Sequence, residues 1–512
     1  MKYIFVLAVA AVFSLNAAAQ EEKFEKQVVK TDISKDITLE ESTASVSVIT
    51  LEDIDHRKSK NIGNSILGQG LGLISLQGAG NFSDYNPTFY VRGLQSLNSN
   101  NSPLILVDGI EREINNISAE EIQSVSILKD AAAVALYGYA GINGAILLTT
   151  KRGEADTQKV KFSYDHQFNS LVNVPEFVNG YTYGLAINEA RANDGLTPRY
   201  NNSELGALRS GAYPYLYPNV NWVDETFKNT ASTNNFNMEF SGGQGRFRYF
   251  AMLNLIADKG FINNSETNDG YSTQDKYVRG NMRMNMDIDL TKTTDLRVNI
   301  LGMLMENSRP GSNINPWDMV YTVPSAAFPI RDENKIWAGS DTWDGTKNPA
   351  GQTRGAAYYK NHDRLIFTDL TLKQDLSSWT PGLAAFARVS YDLVSKIYEN
   401  HSKTYVYTVT NPVWTEGAQM PSSYSSKSYG TDSAMGSGAG VSSFNRRTHL
   451  DFGVTYDFTV GKSIFNTQLK YDYDYRDING TNQTIYRNDF SFWGHYSYDG
   501  KFLADIVLME SG

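Results

Sequence analysis

The sequence predicts a mainly β protein in which a transmembrane antiparallel β-barrel follows a smaller N-terminal α/β domain. Three observations support this fold class. The chain of 512 residues begins with a segment typical of export signals, apolar and polar residues alternate in many segments between residues 160 and 512, and short turns and long polar loops alternate along that same stretch. Alternation with a period of two is the pattern of a β-strand with one apolar and one polar face.

Residues 1–19 have the three parts of a secretory signal. Lys2 supplies a positive charge, an apolar run follows, and Ala17 and Ala19 form a small-residue cleavage pattern. The alternative is an uncleaved membrane anchor, but the run is short for spanning a bilayer. We therefore expect an exported protein in which residues 20–40 form a flexible polar tail.

The composition argues against several classes of function. The net charge of −10 argues against nucleic-acid binding, which needs a basic surface. The absence of cysteine excludes disulfides, thiolate metal sites and cysteine nucleophiles. The six histidines show no metal-ligand spacing, and the carboxylates offer no distinguished catalytic pair. We therefore predict a protein that is not an enzyme and needs no metal or cofactor.

Residues 41–153 have the mixed pattern of a compact α/β domain. Short apolar runs rich in Val, Ile and Leu predict strands, and two stretches with a helical pattern lie among them. The predicted strands are SVSVIT (45–50), FYVRG (89–93), PLILVDG (103–109), SVSILK (124–129) and AILLTTK (145–151). The predicted helical stretches are 51–67 and 130–138, of which the second is Ala-rich and ends at a glycine.

The stretch RGNMRMNMDIDL (279–290) shows the alternation most clearly. Its apolar set, which alternates with polar side chains, is Met282, Met284, Met286, Ile288 and Leu290. In a soluble sheet the apolar face lies against a core, whereas in a membrane barrel it faces lipid and the polar face lines the lumen. The alternation by itself fits both arrangements.

The connections between the predicted strands favour the membrane barrel. About a dozen segments of roughly ten residues, the length that crosses a bilayer when tilted, are joined by short and long connections in turn. The short ones are 241–245, 291–294, 377–382, 461–463 and 499–500, and the long ones are 172–232, 259–277, 306–364, 395–446 and 477–488. Outer-membrane barrels have short turns at one end and long loops at the other, an alternation that a secreted β-sandwich or adhesin rarely keeps. We therefore expect the polar strand faces to point inward.

Three motifs follow one another between residues 102 and 153. They are PLILVDG, SVSILKDAAAVALYG and NGAILLTTKRG. In this order they closely resemble the plug domain of the SusC/RagA-type TonB-linked outer-membrane transporters. We expect structural roles for the motif residues, since Asp-Gly suits a type I′ turn, an aspartate can cap a helix, and glycines adopt backbone conformations closed to other residues. These residues are Pro103, Asp108, Gly109, Lys129, Asp130, Tyr137, Gly138 and Gly144.

The resemblance implies both a fold and a function. It implies a globular plug inside a barrel of twenty-two strands, with residues 160–512 as the N-terminal part of that barrel. The implied activity is active import of a large nutrient, an oligosaccharide or a peptide, across the outer membrane. The implied partners are the TonB–ExbB–ExbD complex, a SusD-like surface lipoprotein and outer-membrane lipid. A siderophore or cobalamin receptor, and a non-transporting adhesin or sensor, are the alternatives.

Two features depart from the family pattern. Many members have a small β-sandwich ahead of the segment that contacts TonB, and residues 20–40 leave no room for it. The barrel also needs roughly twice the strands that the sequence predicts after Gly153. We therefore expect a fragment that ends in the middle of the barrel.

The resemblance also implies a contact with TonB ahead of the plug. TonB would pair by strand addition with KQVVKT (26–31). The predicted contact residues are Gln27, Val28, Val29, Lys30 and Thr31. The alternative is that this segment is an ordinary disordered tail.

Two loops are candidates for contact with the substrate. The long loop 306–364 contains Trp337 and Trp343, and the loop 95–102 is rich in hydrogen-bonding side chains. From that second loop, the predicted contacts are Asn98, Asn100 and Asn101. Aromatic rings and amides suit a sugar ligand. The alternative for the aromatic residues is that they pack the loop against itself.

Overall fold

The computed structural model describes most of the chain. The described residues are 28–29, 37–38, 42–57, 59–77, 86–97, 100–130, 137–266, 270–311, 314–343, 345–479 and 484–512. Several predictions lie outside them, namely the export signal 1–19, the contact residues Gln27, Lys30 and Thr31, the amide Asn98, and residues 131–136 of the Ala-rich stretch.

A five-stranded sheet forms the centre of the N-terminal domain. Within the described residues, the strands and helices of this domain are β1 (Val28–Val29), β2 (Ile37–Thr38), β3 (Val46–Thr50), α1 (Leu51–Asp55), α2 (Ile62–Ser65), β4 (Leu73–Leu76), β5 (Thr88–Val91), β6 (Leu104–Val107), β7 (Ile110–Glu111), β8 (Ile122–Leu128) and β9 (Ala145–Thr150). The central sheet has the order β3-β8-β9-β6-β7. Its strands β6 and β9 are parallel and its other neighbours antiparallel.

The five predicted strands of this domain are all present. Four of them supply the central sheet, and its side chains Val107, Ile122, Val125 and Ile146 are fully buried. Burial on both faces explains why these strands have continuous apolar runs instead of alternation. The predicted helical stretch 51–67 is two short helices, because Asn61 accepts a hydrogen bond from the backbone N–H of Asn64 and begins a second helix.

The predicted turn at Asp108 and Gly109 joins β6 to β7. Both residues have positive φ, 49° and 87°, as a type I′ turn requires. The Asp108 carboxylate accepts hydrogen bonds from the Thr150 backbone N–H at 3.0 Å and from its hydroxyl at 2.7 Å. The turn is thereby attached to the end of β9.

One antiparallel sheet of eleven strands dominates the rest of the described chain. The strands after the N-terminal domain are β10 (Gln158–Ser170), β11 (Thr230–Gln244), β12 (Phe247–Lys259), β13 (Lys276–Asp289), β14 (Thr294–Pro310), β15 (Trp337–Gly339), β16 (Tyr358–Asp375), β17 (Leu383–Ser402), β18 (Tyr407–Val413), β19 (Ser423–Tyr429), β20 (Gly436–Val460), β21 (Ser463–Ile478), β22 (Thr484–Tyr498) and β23 (Phe502–Ser511). The large sheet omits β15, β18 and β19, and otherwise each strand pairs with the next in chain order. This is the predicted meander of a barrel wall.

Strand β13, which contains the stretch RGNMRMNMDIDL, shows how the wall is oriented. Its polar side chains Arg279, Asn281 and Arg283 are at most 1% exposed. Its apolar side chains Met282 and Met284 are 58% and 37% exposed. The polar face points inward and the apolar face outward, as the barrel prediction required.

The connections alternate in length, with one difference from the prediction. The short ones are 245–246, 290–293, 376–382, 461–462 and 499–501, and the long ones are 171–229, 260–275, 311–357 and 403–435. The connection predicted at 477–488 is shorter, because β21 continues to Ile478 and β22 begins at Thr484. Several strands are also longer than ten residues, and β20 has 25. At about 3.3 Å per residue such a strand extends well beyond the bilayer.

The long connections fold into structured caps instead of open loops. Their helices are α3 (Gly180–Asn193), α4 (Asn202–Ser210), α5 (Trp222–Thr226), α6 (Pro316–Thr322) and α7 (Pro349–Gly355). Each begins after an asparagine whose side chain accepts a hydrogen bond from a backbone N–H of the first turn. Strands β15, β18 and β19 form a separate three-stranded sheet. Among the described helices, none combines the length and the apolar character that crossing a membrane requires.

Candidate functional site

Charged side chains of the N-terminal domain lie against the inward face of the barrel wall. Arg112 directly follows β7, and its side chain is 2% exposed. Its guanidinium donates to Asp369 of β16 (Nη1 to Oδ2, 3.0 Å) and to Asp392 of β17 (Nη2 to Oδ1, 2.7 Å). Burial alone would lower the pKa of Arg112, but the two carboxylates more than offset this and raise it. A charged arginine therefore connects the domain to two barrel strands.

The end of the N-terminal domain is attached to another part of the wall. Lys151 Nζ lies 3.2 Å from Glu239 Oε1 of β11, and its backbone carbonyl accepts a hydrogen bond from the Asn285 amide of β13 at 2.8 Å. Arg152 donates to both carboxylate oxygens of Asp287 at 2.8 Å. These contacts connect the last strand of the domain to β11 and β13.

A fully buried ion pair lies between these two attachments. Glu121 accepts from the Arg283 guanidinium of β13, and both side chains are at most 1% exposed. Glu121 also accepts from the backbone N–H of Ser118 at 2.5 Å. Because a charge buried without a partner is costly, each member of this pair depends on the other.

Glu111 of β7 lies between two arginines of the wall. Arg447 of β20 donates from Nη2 to Glu111 Oε2 at 3.3 Å, and Arg476 of β21 donates to the same oxygen. Asp474 accepts from the other side of both arginines, from Arg447 Nε at 3.0 Å and from Arg476 Nε at 3.2 Å. The negative charges of Glu111 and Asp474 therefore balance the positive charges of Arg447 and Arg476.

A cavity of about 890 Å³ opens beside Glu111, between the N-terminal domain and the wall. Charges of both signs and the amides and hydroxyls of loop 95–102 line it. The basic side chains are Arg112, Lys396, Arg446, Arg447, Arg476 and Arg487, and the acidic ones are Glu111, Glu113, Asp392 and Asp477. The aromatic side chains in the lining are Tyr139 and Phe367, and the Arg112 guanidinium lies 4.7 Å from the centre of the Phe367 ring. The cavity suits a polar ligand.

The two described asparagines predicted from loop 95–102 differ in their surroundings. Asn100 lines the cavity. Asn101 shapes the loop, because its side-chain oxygen accepts from the backbone N–H groups of Gln95 and Ser96, each at 2.8 Å. Of the two, Asn100 is placed where a ligand in the cavity would meet it.

The two predicted tryptophans lie away from this cavity, in the caps. Trp337 is 8% exposed, with the Arg331 guanidinium 3.6 Å from the centre of its ring. Trp343 is partly buried and packs against a cluster that contains Val320 and Phe328. Both side chains hold a cap together, as the packing alternative describes.

The plug-motif residues make contacts within the domain. Asp130 Oδ2 accepts from the Ser45 backbone N–H at 2.9 Å, and the Lys129 backbone N–H donates to the Ser45 carbonyl at 3.2 Å. Gly144 has a φ of +83°, and a Cβ there would lie 2.8 Å from the Val91 Cβ. These contacts join the motif to β3 and β5.

The remaining motif residues face the wall, the core and the cavity. A Cβ on Gly138 would lie 2.5 Å from Met509 Sδ of β23. Tyr137 packs against a core cluster that contains Leu104. Pro103 lines the cavity.

The described part of the segment predicted to contact TonB forms a small ladder. Val28 of β1 lies opposite Thr38 of β2, and Val29 lies opposite Ile37. The pairing is antiparallel.

Among the described residues, one histidine–carboxylate group has the spacing of a metal site. The candidate ligand atoms of His449, Asp451 and Asp472 lie within 4.8 Å of one another. Asp451, however, already accepts from Arg388 Nε at 2.9 Å, and His449 Nε2 lies 3.0 Å from Asp451 Oδ2. These partners account for the cluster as ion pairing without a metal.

Sequence reasoning missed the residues that attach the domain to the wall. Arg112, Glu111 and Glu121 lie in a polar stretch between two recognised motifs, and their partners are more than 160 residues away. The available signal was the charge at inward positions of the strands, as at Arg283 and Arg476. That signal identifies a lumen wall but does not reveal which charges meet.

Comparisons with known proteins show what this architecture is similar to. A family model described as TonB-dependent Receptor Plug Domain matches residues 38–145. TonB-dependent receptor P26 of Formosa agariphila is 29% identical over 311 residues, which are 58% of this chain and 28% of that protein. TonB-dependent receptor SusC of Bacteroides thetaiotaomicron is 26% identical over 236 residues, 44% of this chain and 22% of that protein.

The fold agrees with these sequence matches. A chain of the RagAB peptide importer in its open-open state superposes with a TM-score of 0.70 and 15% identity, covering 95% of this chain and 56% of that one. The chain contains the plug domain of TonB-dependent receptors and is similar to receptors of the SusC/RagA type. Its matched part covers less than a third of each of these two curated receptors and about half of the RagAB chain. In receptor terms, the N-terminal domain is the plug, and the eleven-stranded sheet matches about half of a barrel of twenty-two strands.

Proposed function

We propose that the chain takes part in TonB-dependent active import of a large nutrient, an oligosaccharide or a peptide, across the outer membrane. The observation that carries this proposal is the ionic attachment of a globular plug to the inward face of a sheet whose outward face is apolar. Arg112, Glu121 and Arg152 each bind carboxylates or guanidinium groups of the wall. Ion pairs regain water when they separate, so these attachments of the plug are easier to break than apolar contacts of the same burial.

Nutrient import is supported by the relatives. One solved structure with a similar fold is that of a peptide importer. A curated relative is the receptor SusC. The cavity beside the plug has the polar lining that a peptide or an oligosaccharide requires.

We place the contact with TonB at residues 26–31, including Gln27, Lys30 and Thr31. The ladder of β1 and β2 supports this position, because a two-stranded ladder has outer edges to which a further strand can add. TonB bound there pulls on the chain just ahead of β3, and through β3 on the plug sheet.

We also propose a SusD-like surface lipoprotein as partner and the outer membrane as location, with residues 1–19 as a cleaved export signal. The structured caps support the partner, since α3, α4 and the sheet of β15, β18 and β19 give the loop end an ordered surface. The exposed apolar face of β13 supports the location.

Gene deletion and complementation test the import function. The strain without the gene should fail to grow on one particular glycan or peptide as sole carbon source and should take up none of its labelled fragments. The unaltered gene should restore growth. Normal growth of the deletion strain on every such polymer would contradict the proposal.

Two variants test the contact with TonB. Val29→Pro should not restore growth, because proline lacks the backbone donor that strand addition uses. Val29→Ile is the matched control and should restore growth fully. Equal rescue by both variants would place the contact elsewhere.

A further inference from the structure

We propose that Glu111 fills a carboxylate-binding subsite of the cavity, and that a carboxylate of an acidic peptide displaces it there. The inference rests on the proposed import function for its physiological ligand. It adds the chemical class of that ligand and a way in which the ligand loosens the plug.

The charges at this place require an anion. Arg447 and Arg476 lie directly opposite each other on β20 and β21. Like charges at opposite positions of a sheet repel. Asp474 contributes one negative charge to this pair, and Glu111 contributes the second. Without Glu111 the cluster has an excess positive charge, which a ligand carboxylate would balance equally well.

Glu111 is positioned so that it can leave. It ends β7, a strand of two residues at the edge of the plug sheet. Its side chain is 31% exposed and that of Arg476 is 34% exposed, so a ligand in the cavity can reach both. The next residue, Arg112, is fixed to Asp369 and Asp392. The Glu111 carboxylate can therefore turn away by side-chain rotation while the backbone keeps its place.

The lining of the cavity favours a peptide over an oligosaccharide. Sugar rings pack on aromatic faces, and the lining offers one open ring, that of Tyr139, because Phe367 is covered by Arg112. The amides of Gln95, Asn100 and Asn143 can serve either ligand, so the preference for a peptide rests on the single open ring and on the arginines that bind carboxylates.

The exposed arginines of the lining select carboxylates, which makes the peptide an acidic one. Arg446 and Arg487 line the same cavity, with side chains 48% and 37% exposed. Each is paired with an aspartate, Arg446 with Asp477 and Arg487 with Asp489, so a further ligand carboxylate would compete for it as the first competes with Glu111. Arginine forks bind carboxylates bidentately, which adds selectivity for acidic side chains.

Ligand binding then weakens one attachment of the plug. When a ligand carboxylate takes the place of Glu111 Oε2, the plug loses its side-chain bonds to Arg447 and Arg476. One anion replaces another, so the charge of the cluster does not change. The occupied receptor has a plug with one ionic attachment fewer, which lowers the force that TonB must apply.

Binding to the full-length receptor, purified from outer membranes in detergent, tests this inference. The probe is a fluorescent hexapeptide of alternating Ala and Glu, compared with its Ala and Gln counterpart. Glu111→Gln should bind the acidic probe about tenfold more tightly, because it removes the competing charge and keeps the shape. Arg476→Gln should lose binding.

The matched control is Glu113→Gln. This substitution removes the same charge from the same cavity, but the glutamate that Arg447 and Arg476 bind is Glu111. Its effect on affinity should stay within about twofold and should vanish at high salt. Equal tightening by Glu111→Gln and Glu113→Gln would overturn the proposal, since it would show only a long-range charge effect.

Two other results would also overturn it. One is an unchanged affinity of Glu111→Gln for the acidic probe. This measurement decides the question even if Arg476→Gln fails to fold. The other is a receptor that binds oligogalacturonate but not the acidic peptide, and that binds oligogalacturonate more tightly after Glu111→Gln. The assay needs neither TonB nor growth. If the variants bind as predicted but a deletion strain takes up peptides normally, the import function is refuted. The carboxylate-binding subsite would then still stand.

Discussion

The core of the plug and the ion pairs that attach the plug to the wall are equally dry but have opposite chemistry. The interface also has an apolar part, in which Leu301 and Phe367 of the wall pack against the plug core. In the core, Val125 and Ile127 are fully buried. At the interface, Arg112, Glu121 and Arg283 are buried almost as completely. Separating an apolar core exposes surface that water disfavours, whereas separated ions regain their hydration. The ionic attachments can therefore separate at a lower cost in hydration than the apolar contacts of the core.

The largest expected effect comes from breaking the interface at Arg112. Arg112→Ala should weaken attachment of the plug by about 3–5 kcal/mol, because it leaves Asp369 and Asp392 buried without their partner. The urea concentration at which trypsin first cleaves the plug measures this loss. The control is Lys159→Ala, which removes an exposed ion pair with Glu154 and should change nothing measurable. Equal cleavage of both variants would show that the buried pairs do not hold the plug.

The core is tested by Ile127→Ala. Removing this buried side chain should lower the free energy of unfolding of the plug by about 2–5 kcal/mol, through lost transfer energy and the cavity left behind. Circular dichroism in urea measures the loss, which should not depend on salt. Leu94→Ala is the control, because Leu94 is 71% exposed. A strong salt dependence in Ile127→Ala would contradict the distinction between the two regions.

The outward face of the wall provides the third test. Met284→Lys should destabilise the barrel by roughly 2–4 kcal/mol if the side chain meets lipid near the bilayer midplane. Leu290→Lys, at the short turn after β13, should cost much less. Folding into lipid vesicles measures both. Equal and small effects would mean that this face does not meet the bilayer.

The smallest expected effect is a change of stability with pH that comes from the buried amino group of Lys60. Lys60 is 8% exposed, and its Nζ lies 3.6 Å from Asp258 Oδ2. Burial lowers the pKa of Lys60 from 10.5 to about 8, against the opposing effect of Asp258. The folded protein therefore binds fewer protons than the unfolded chain between these two values, and its stability rises with pH across that window.

Thermal unfolding as a function of pH tests this prediction. The Tm of the unaltered receptor should rise between about pH 8 and pH 10, and Lys60→Met should flatten that part of the profile. Lys292→Met, in the exposed turn between β13 and β14, is the control and should leave the rise in place. An identical rise in Lys60→Met would assign the pH dependence to another group.

The regular parts of the fold were predictable from the sequence. The alternation of 279–290 has a direct structural equivalent in β13, with Arg283 inside and Met284 outside. The Asp108–Gly109 turn and the strands of the plug follow from local backbone preferences. All of these features depend on neighbours along the chain, which the sequence displays.

The secondary structure of the caps was not predicted, because the local sequence there gives little signal for it. Residues 403–435 contain β18 and β19, whose side chains in SYSSKSY are almost all exposed, so no alternation marks them. The helices of the caps did have a signal that was not used, namely the asparagine before each one, such as Asn201. Asparagine is equally common in turns, so that signal gains meaning only when the helix is known.

The candidate site was the least predictable part. The pairing of Glu111 with Arg476 joins residues that are 365 apart, and nothing in either local sequence points to the other. Asn100 was predicted from composition and lies in the cavity, whereas Trp337 was predicted on the same grounds and is buried in a cap. Composition identifies suitable chemistry, but only the fold brings the groups together.

The spacing of contacts along the chain also sets the order in which the receptor folds. Neighbouring wall strands such as β11 and β12 meet across a connection of two residues, whereas Arg112 reaches Asp392 across 280. The entropy lost on closing a loop grows with its length, so hairpins form before distant contacts. The wall therefore assembles hairpin by hairpin, and docking of the plug is a late step that completes the native state.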